Sequence, residues 1–224
     1  MYSSYHSQYL MHYGVKGMKW GVRRYQNKDG TYTSVGKRRK RGDIVIDKGT
    51  DVHRIVPKEW LANEKGYSGH AYASYKKEDT QRYRDFAKMF VSGDNYVDMT
   101  FKAKDLIVSP SRKKRVDEFI KLVDSNPEFR ESLIKHTRNP LVFVPKRKIK
   151  DLKNPKNRDA VYEKFAYLLV SKRDLRDPYF KSLESQGYSM ILDDADIRGG
   201  ISKAPVIVFD RNKSLKFDKA ETLG

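Results

Sequence analysis

Asp193, Asp194 and Asp196 in ILDDAD are the tightest cluster of acids in this 224-residue sequence. Clustered carboxylates are what a divalent-metal nuclease needs; the same three residues also read as an acidic turn after a strand. Three further elements come in a suggestive order. Arg54 lies in the β-branched run VHRIV, Ser74 closes the run AYAS, and Tyr83 follows Asp79 in the first turns of a helical stretch. Each has a plain reading as well: Arg54 as an edge-strand surface arginine, Ser74 as a strand-end hydroxyl, Tyr72 and Tyr83 as packing residues. His53 and His70 read as surface or hydrogen-bonded core residues rather than a catalytic pair.

Other chemistries find no support. The sequence has no GxSxG, no GxxxxGK[ST] and no GxGxxG, so nucleophile-elbow, P-loop and dinucleotide fingerprints are missing. It has no cysteine, which removes disulfides, thiol catalysis and cysteine-type zinc sites. Its five histidines lack metal-ligand spacing such as HExxH, so no metal is expected.

The elements that must position these residues are legible from periodicity. Ile44–Ile46 and Val52–Val56 around Lys48-Gly49 predict a hairpin, and Gly69–Tyr75 a short strand. Glu78–Phe90 predicts a helix with Tyr83, Phe86, Ala87 and Phe90 at helical spacing. Tyr96–Phe101 and Leu106–Val108 predict strands. Helices are predicted from Ser109-Pro110 to Val123, from Asn126-Pro127 onward, through Val170, and from Pro178 to Gln186, where Gly187 stops the last. Residues 145–158 read as a charged loop, and Tyr188–Leu192 and Val206–Phe209 as late strands. Interspersed helices and strands without βαβ repetition predict an α+β fold with a mixed or antiparallel sheet.

The charge is uneven. The chain carries 47 Lys+Arg against 29 Asp+Glu, a net charge of +18. Residues 1–42 hold ten of the basic side chains and one acid, with few aliphatic residues. Such a segment buries too little apolar area to offset its own chain entropy. It is expected to be a basic, flexible tag with Lys37–Arg41 as linker, leaving 43–224 as the globular domain. No apolar run is long enough for a transmembrane helix and no secretory signal is recognisable at the N-terminus. A cytosolic protein, or one carried by a particle assembled there, is expected.

Residues 12–25 read HYGVKGMKWGVRRY. The segment resembles, through about Gly30, a short N-terminal tag found on assorted proteins of bacteriophages and integrated elements of Gram-positive bacteria. The resemblance implies a virion-associated or cargo role in a bacterial host, with a capsid or other virion protein as the partner of residues 12–30. Tyr13, Met18, Trp20, Val22 and Tyr25 would supply apolar anchors between the cations, folding on binding. The plain reading is a solvated tail that binds polyanions without selectivity.

VHRIV, AYAS, GYSMILDDAD and APVIVFD, in that order, resemble core strands of the mono-ADP-ribosyltransferase superfamily, particularly its toxin-like phage members. The resemblance covers about residues 48–218. It implies ADP-ribose transfer from NAD to a host protein by an Arg–Ser–Glu constellation. Arg54 would hold phosphate or ribose, Ser74 would orient the site, and Tyr72 or Tyr83 would stack on nicotinamide. Asp194 or Asp196 would bind the ribose and offset charge at the anomeric carbon. The chain departs from the family in its late residue, normally Glu in a [QE]xE pair; aspartate is one methylene shorter. Two other readings compete: a non-enzymatic head or cargo protein with a degenerate transferase-like module, and a nucleic-acid binder driven by the net charge. The last is weakest, because acids interleave with the basic residues of 43–224.

Overall fold

A computed structural model describes residues 25–66, 69–88, 95–137 and 154–223. Its contacts divide the chain into two units, Met1–Arg41 and Gly42–Gly224.

In the first unit the described residues, 25–41, form a turn and a helix. Gln26 bridges Tyr32 across a turn in which Gly30 takes φ +83°, and Asp29 accepts hydrogen bonds from the Thr31 amide and hydroxyl. Thr33 caps helix α1 (Ser34–Lys40) by accepting from the Gly36 amide. A Cβ at Gly36 would lie 2.2 Å from the Tyr25 carbonyl, so only glycine lets the helix approach the turn this closely. Lys37–Lys40, expected in a flexible run, are its last turn, where cations suit the helix dipole. Arg39 lies over the Tyr25 ring and Lys40 over the Tyr32 ring.

The second unit is α+β with antiparallel sheets. Strands β1 (Ile44–Ile46), β2 (Asp51–Pro57), β3 (Ala71–Ser74), β4 (Tyr96–Ala103), β5 (Ile107–Ser109), β6 (Met190–Leu192), β7 (Pro205–Val208) and β8 (Leu215–Leu223) alternate with helices. These are α2 (Leu61–Gly66), α3 (Glu78–Lys88), α4 (Arg112–Ser125), α5 (Pro127–Thr137), α6 (Arg158–Ser171), α7 (Arg173–Glu184), α8 (Asp194–Arg198) and α9 (Arg211–Ser214). Among the described residues, six strands form one sheet in the order β6-β7-β3-β2-β4-β8, and β1 pairs with β5 alone. The expected hairpin between 44–46 and 52–56 is therefore absent. The turn exists, with Gly49 at φ +80°, but Gly49 and Thr50 bond to Ala103 at the end of β4, which draws β2 into the large sheet while β1 continues to β5.

The apolar face of the sheet carries Val52, Val56, Ala71, Ala73, Val97, Met99, Phe101, Val206 and Val208. Helices α4, α5 and α6 form an aromatic cluster, in which Phe119 meets Phe129, Tyr162 and Phe165. Helix α7 begins at Arg173, five residues before the expected Pro178. Pro178 lies inside the helix and removes one of its amides, a cost of about 3 kcal/mol that the burial of Leu175, Tyr179, Phe180 and Leu183 offsets. Among the described residues, no helix is long and apolar enough to cross a membrane. The expected charged loop 145–158 lies largely outside the described residues, and its end is already helical.

Candidate functional site

Strand alternation decides which side chains can meet. Residues paired across an antiparallel ladder share a face, and neighbours along a strand do not. His53 pairs with Ser74 on one side and Thr100 on the other. Thr100 pairs with Lys219, and Asp98 with Glu221. These residues therefore share one face of the sheet. Arg54 shares the other with Val52 and Val56.

That second face holds Arg54 in a closed network. Its Nη2 and Nε donate to the Glu64 carboxylate at 2.7 and 3.1 Å, and its Nη1 to the Tyr72 carbonyl at 3.1 Å. Arg211 donates to the same carboxylate at 3.1 Å. A cavity of about 390 Å³ opens beside it, walled by Met99, Phe101, Leu215 and Phe217. Arg54 is thus neither an edge-strand surface residue nor on the face of Ser74.

The His53 face is polar where it is buried. His53 Nδ1 lies 3.0 Å from Asp98 Oδ2, both side chains being buried. Ser74 Oγ lies 2.8 Å from Asp79 Oδ2. Asp79 is fully buried at the start of α3 and accepts hydrogen bonds from Ser202 Oγ and from the Lys203 and Ala204 amides. Burial pushes its carboxyl up, but these bonds outweigh burial and hold it below the usual range. Ser74 and Asp79 thereby fasten the segment entering β7 to the end of β3.

Above this floor lie two cavities. One, of about 270 Å³, is lined by Thr50, Asp51, His53, Tyr75, Lys77, Thr100, Lys219 and Glu221. The other, of about 430 Å³, is lined by Tyr75, Lys76, Lys77, Glu78, Asp79 and Lys203. They share Tyr75 and Lys77 and so adjoin at the end of β3; together they are termed the groove. Lysines and carboxylates face each other across it, and Lys219 draws the Glu221 carboxyl below its ordinary range.

The late aspartates have three separate structural roles. Asp193 accepts from the Ala195 and Asp196 amides and so caps α8. Asp194 accepts two bonds from Arg115 at 2.9 and 3.2 Å, lies 3.3 Å from Arg112 Nη1 and accepts from the Tyr162 hydroxyl. Asp196 accepts from the Tyr83 hydroxyl at 2.9 Å. Of the expected site residues, the structure joins Tyr83 to Asp196 through their side chains and Arg54 to the backbone carbonyl of Tyr72. It keeps Arg54, Ser74 and Asp194 in different surroundings, because each is tied to a different neighbour. Tyr72 donates to the Val170 carbonyl and lines neither cavity of the groove. Among the described residues, no group of three or more His, Cys, Asp or Glu side chains could hold a metal ion.

Burial, and secondarily Asp196, push the Asp193 carboxyl up from 3.8 to about 6. The folded state then holds this proton more tightly than the unfolded chain does. The stability so contributed is full below the ordinary carboxyl range and is lost as pH rises through about 6. Asparagine keeps the cap, since its side-chain oxygen also accepts. Asp193→Asn should match wild type near pH 4 and exceed it at pH 8 by about 1–3 kcal/mol. Chemical denaturation at the two pH values checks this; parallel profiles would refute it.

Sequence reasoning missed His53 as the partner of Asp98, and it missed Asp98, Thr100, Tyr75 and Glu221 altogether. The parity of DVHRIV was the available signal. Val52, Arg54 and Val56 must share one face, which assigns His53 to the other.

Residues 3–27 match a family of unknown function (DUF7211). Neither the curated proteins nor the solved structures contain a significant match to the chain.

Proposed function

We propose that the domain is of the mono-ADP-ribosyltransferase type and takes NAD in the groove on the His53 face. The observation that carries the reading is the meeting there of His53, Tyr75, Lys77, Lys219 and Glu221 around one cavity. Lys77 and Lys219 suit a dianionic pyrophosphate, and Tyr75 offers a ring for a planar base. His53, oriented by Asp98, can hydrogen-bond a ribose hydroxyl. Glu221 takes the part that the sequence assigned to the late aspartates. It lies on the last strand and faces the groove, whereas Asp194 and Asp196 are engaged elsewhere. In the reaction the bond from the anomeric carbon to the nicotinamide nitrogen breaks, with the electron pair leaving on nicotinamide. The acceptor's nucleophile bonds to the same carbon and gives up its proton to the surrounding water. Glu221 would offset the positive charge that builds between these events.

Calorimetry and a nicotinamide-release assay on the full chain test this. Lys77→Ala and Lys219→Ala should weaken NAD binding. Glu221→Gln should lower release by about tenfold or more with little change in affinity, since the charge it meets exists mainly in the transition state. No binding at millimolar NAD overturns the reading.

Binding without release would favour a second reading, a non-enzymatic module of a phage particle. The structural engagement of all three late aspartates favours it. In either reading, residues 12–30 are proposed to dock the chain on a virion protein, which co-purification with particles reads out.

A further inference from the structure

Among the described residues, β8 bonds to β4 alone, which leaves its outer edge open. At nine residues it is a long edge. Its residues from Lys216 to Thr222 are exposed, and Phe217 stands 42% accessible with its ring edge-on to Phe101. An open edge presents a row of backbone donors and acceptors that a further strand can pair with.

The sequence of this edge, LKFDKAET, is complementary to itself. Laid antiparallel on a second copy about a two-fold axis between Asp218 and Lys219, it sets Lys216 against Glu221 and Asp218 against Lys219. Phe217 then meets Ala220. In a regular strand this register would fail, because residues 217 and 220 would point to opposite faces. The irregularity opposite Thr100/Phe101 removes the obstacle. Phe101 pairs with Phe217 and Met99 with Ala220, so these two share the apolar face; Lys102 pairs with Lys216 and Asp98 with Glu221, so those two share the polar one. The extra residue makes the register that pairs all four charged residues also satisfy the faces.

We propose that two copies of this chain associate through β8 into an isologous dimer, one antiparallel sheet running through both. Charges and bulges also serve to keep edges apart. Here the alternation of sign gives a uniformly charged strand no net attraction, since each favourable pair is offset by a repulsive one, and favours a second β8. A single strand pair buries less than a standard interface, so dissociation in the micromolar range is expected.

Sedimentation equilibrium on the full chain without NAD tests the proposal, and its outcome is independent of the NAD reading. Wild type should show a monomer–dimer equilibrium at tens to hundreds of micromolar protein. Lys216→Glu sets two glutamates against each other at both ends, and Glu221→Lys does the same with lysines. Each variant alone should self-associate about tenfold or more weakly. Mixed in equal amounts, the two should form a heterodimer, because every pair is again opposite in sign. Both positions are exposed, so unchanged circular dichroism is expected. A wild type that stays monomeric over this range, a dimer indifferent to either substitution, or a mixture that does not associate would overturn the proposal.

Discussion

Asp194→Ala is expected to lower folding stability by about 3–5 kcal/mol, the cost of stranding a buried charge. Arg115 is only 3% exposed, and its guanidinium is held by both oxygens of Asp194 and by the Pro110 carbonyl. Removing the carboxylate leaves that guanidinium without its counter-charge, in a region too closed for water to replace it. Arg112 loses a partner at 3.3 Å, and the buried Tyr162 hydroxyl loses an acceptor. Arg112 is cushioned, since it keeps Asp159 and lies over the Tyr162 ring. Asp194→Asn should cost less than Ala, because its oxygen still accepts one bond. The measurement is a denaturant midpoint at unchanged slope. A loss below about 0.5 kcal/mol, the ordinary range of a surface change, would mean that the carboxylate is not in the ion pair and is open to chemistry. The same substitution therefore decides between the structural role that the geometry gives Asp194 and the catalytic one that the motif order suggested.

What the sequence made legible follows the strength of each local signal. Helix α4 announces itself through Val116, Phe119, Ile120 and Val123 at helical spacing, and it forms from Arg112 to Ser125 behind the cap Ser111. Strands β2, β3, β4 and β7 are short β-branched or small-residue runs bounded by turn residues, and each lies within one to two residues of its expected bounds. Strand β8 was invisible. LKFDKAETL has four charges, a bulge that interrupts its alternation, and one exposed edge, so nothing in its period marks a strand. The missing strand hid the groove, since β8 supplies Lys219 and Glu221. The site itself was misread for a different reason. Motif order places residues along the chain but ignores the face on which each side chain emerges, and one position separates Arg54 from His53. The aspartates were misread because a carboxylate near a strand end can cap a helix or close an ion pair as readily as hold a substrate. Only the positions of Ala195, Arg115 and Tyr83 tell these roles apart.

Glu64→Ala should be as costly as the loss of Asp194, about 3–5 kcal/mol, and it tests which face carries the function. Glu64 is the shared counter-charge of two mostly buried guanidiniums. Arg54 grips it with two nitrogens and Arg211 with one, while Arg211 also donates to the Glu64 carbonyl and lies 5.5 Å over the Phe101 ring. Without the carboxylate, two like charges remain side by side in a low-dielectric pocket. The double variant Glu64→Ala/Arg54→Ala removes one of them, so it should cost less than the sum of the single changes. A coupling of about 1 kcal/mol or more in that cycle would confirm the network; additivity would refute it. Arg54→Ala alone then separates the two faces. Alternation along β2 sends Arg54 away from the groove that His53 lines, so NAD affinity measured well below the unfolding transition should change by less than about twofold. A loss worth about 1.5–3 kcal/mol, that of a hydrogen bond to a charged group, would instead place the pyrophosphate against Arg54 and move the site across the sheet, to the cavity walled by Met99, Phe101 and Phe217.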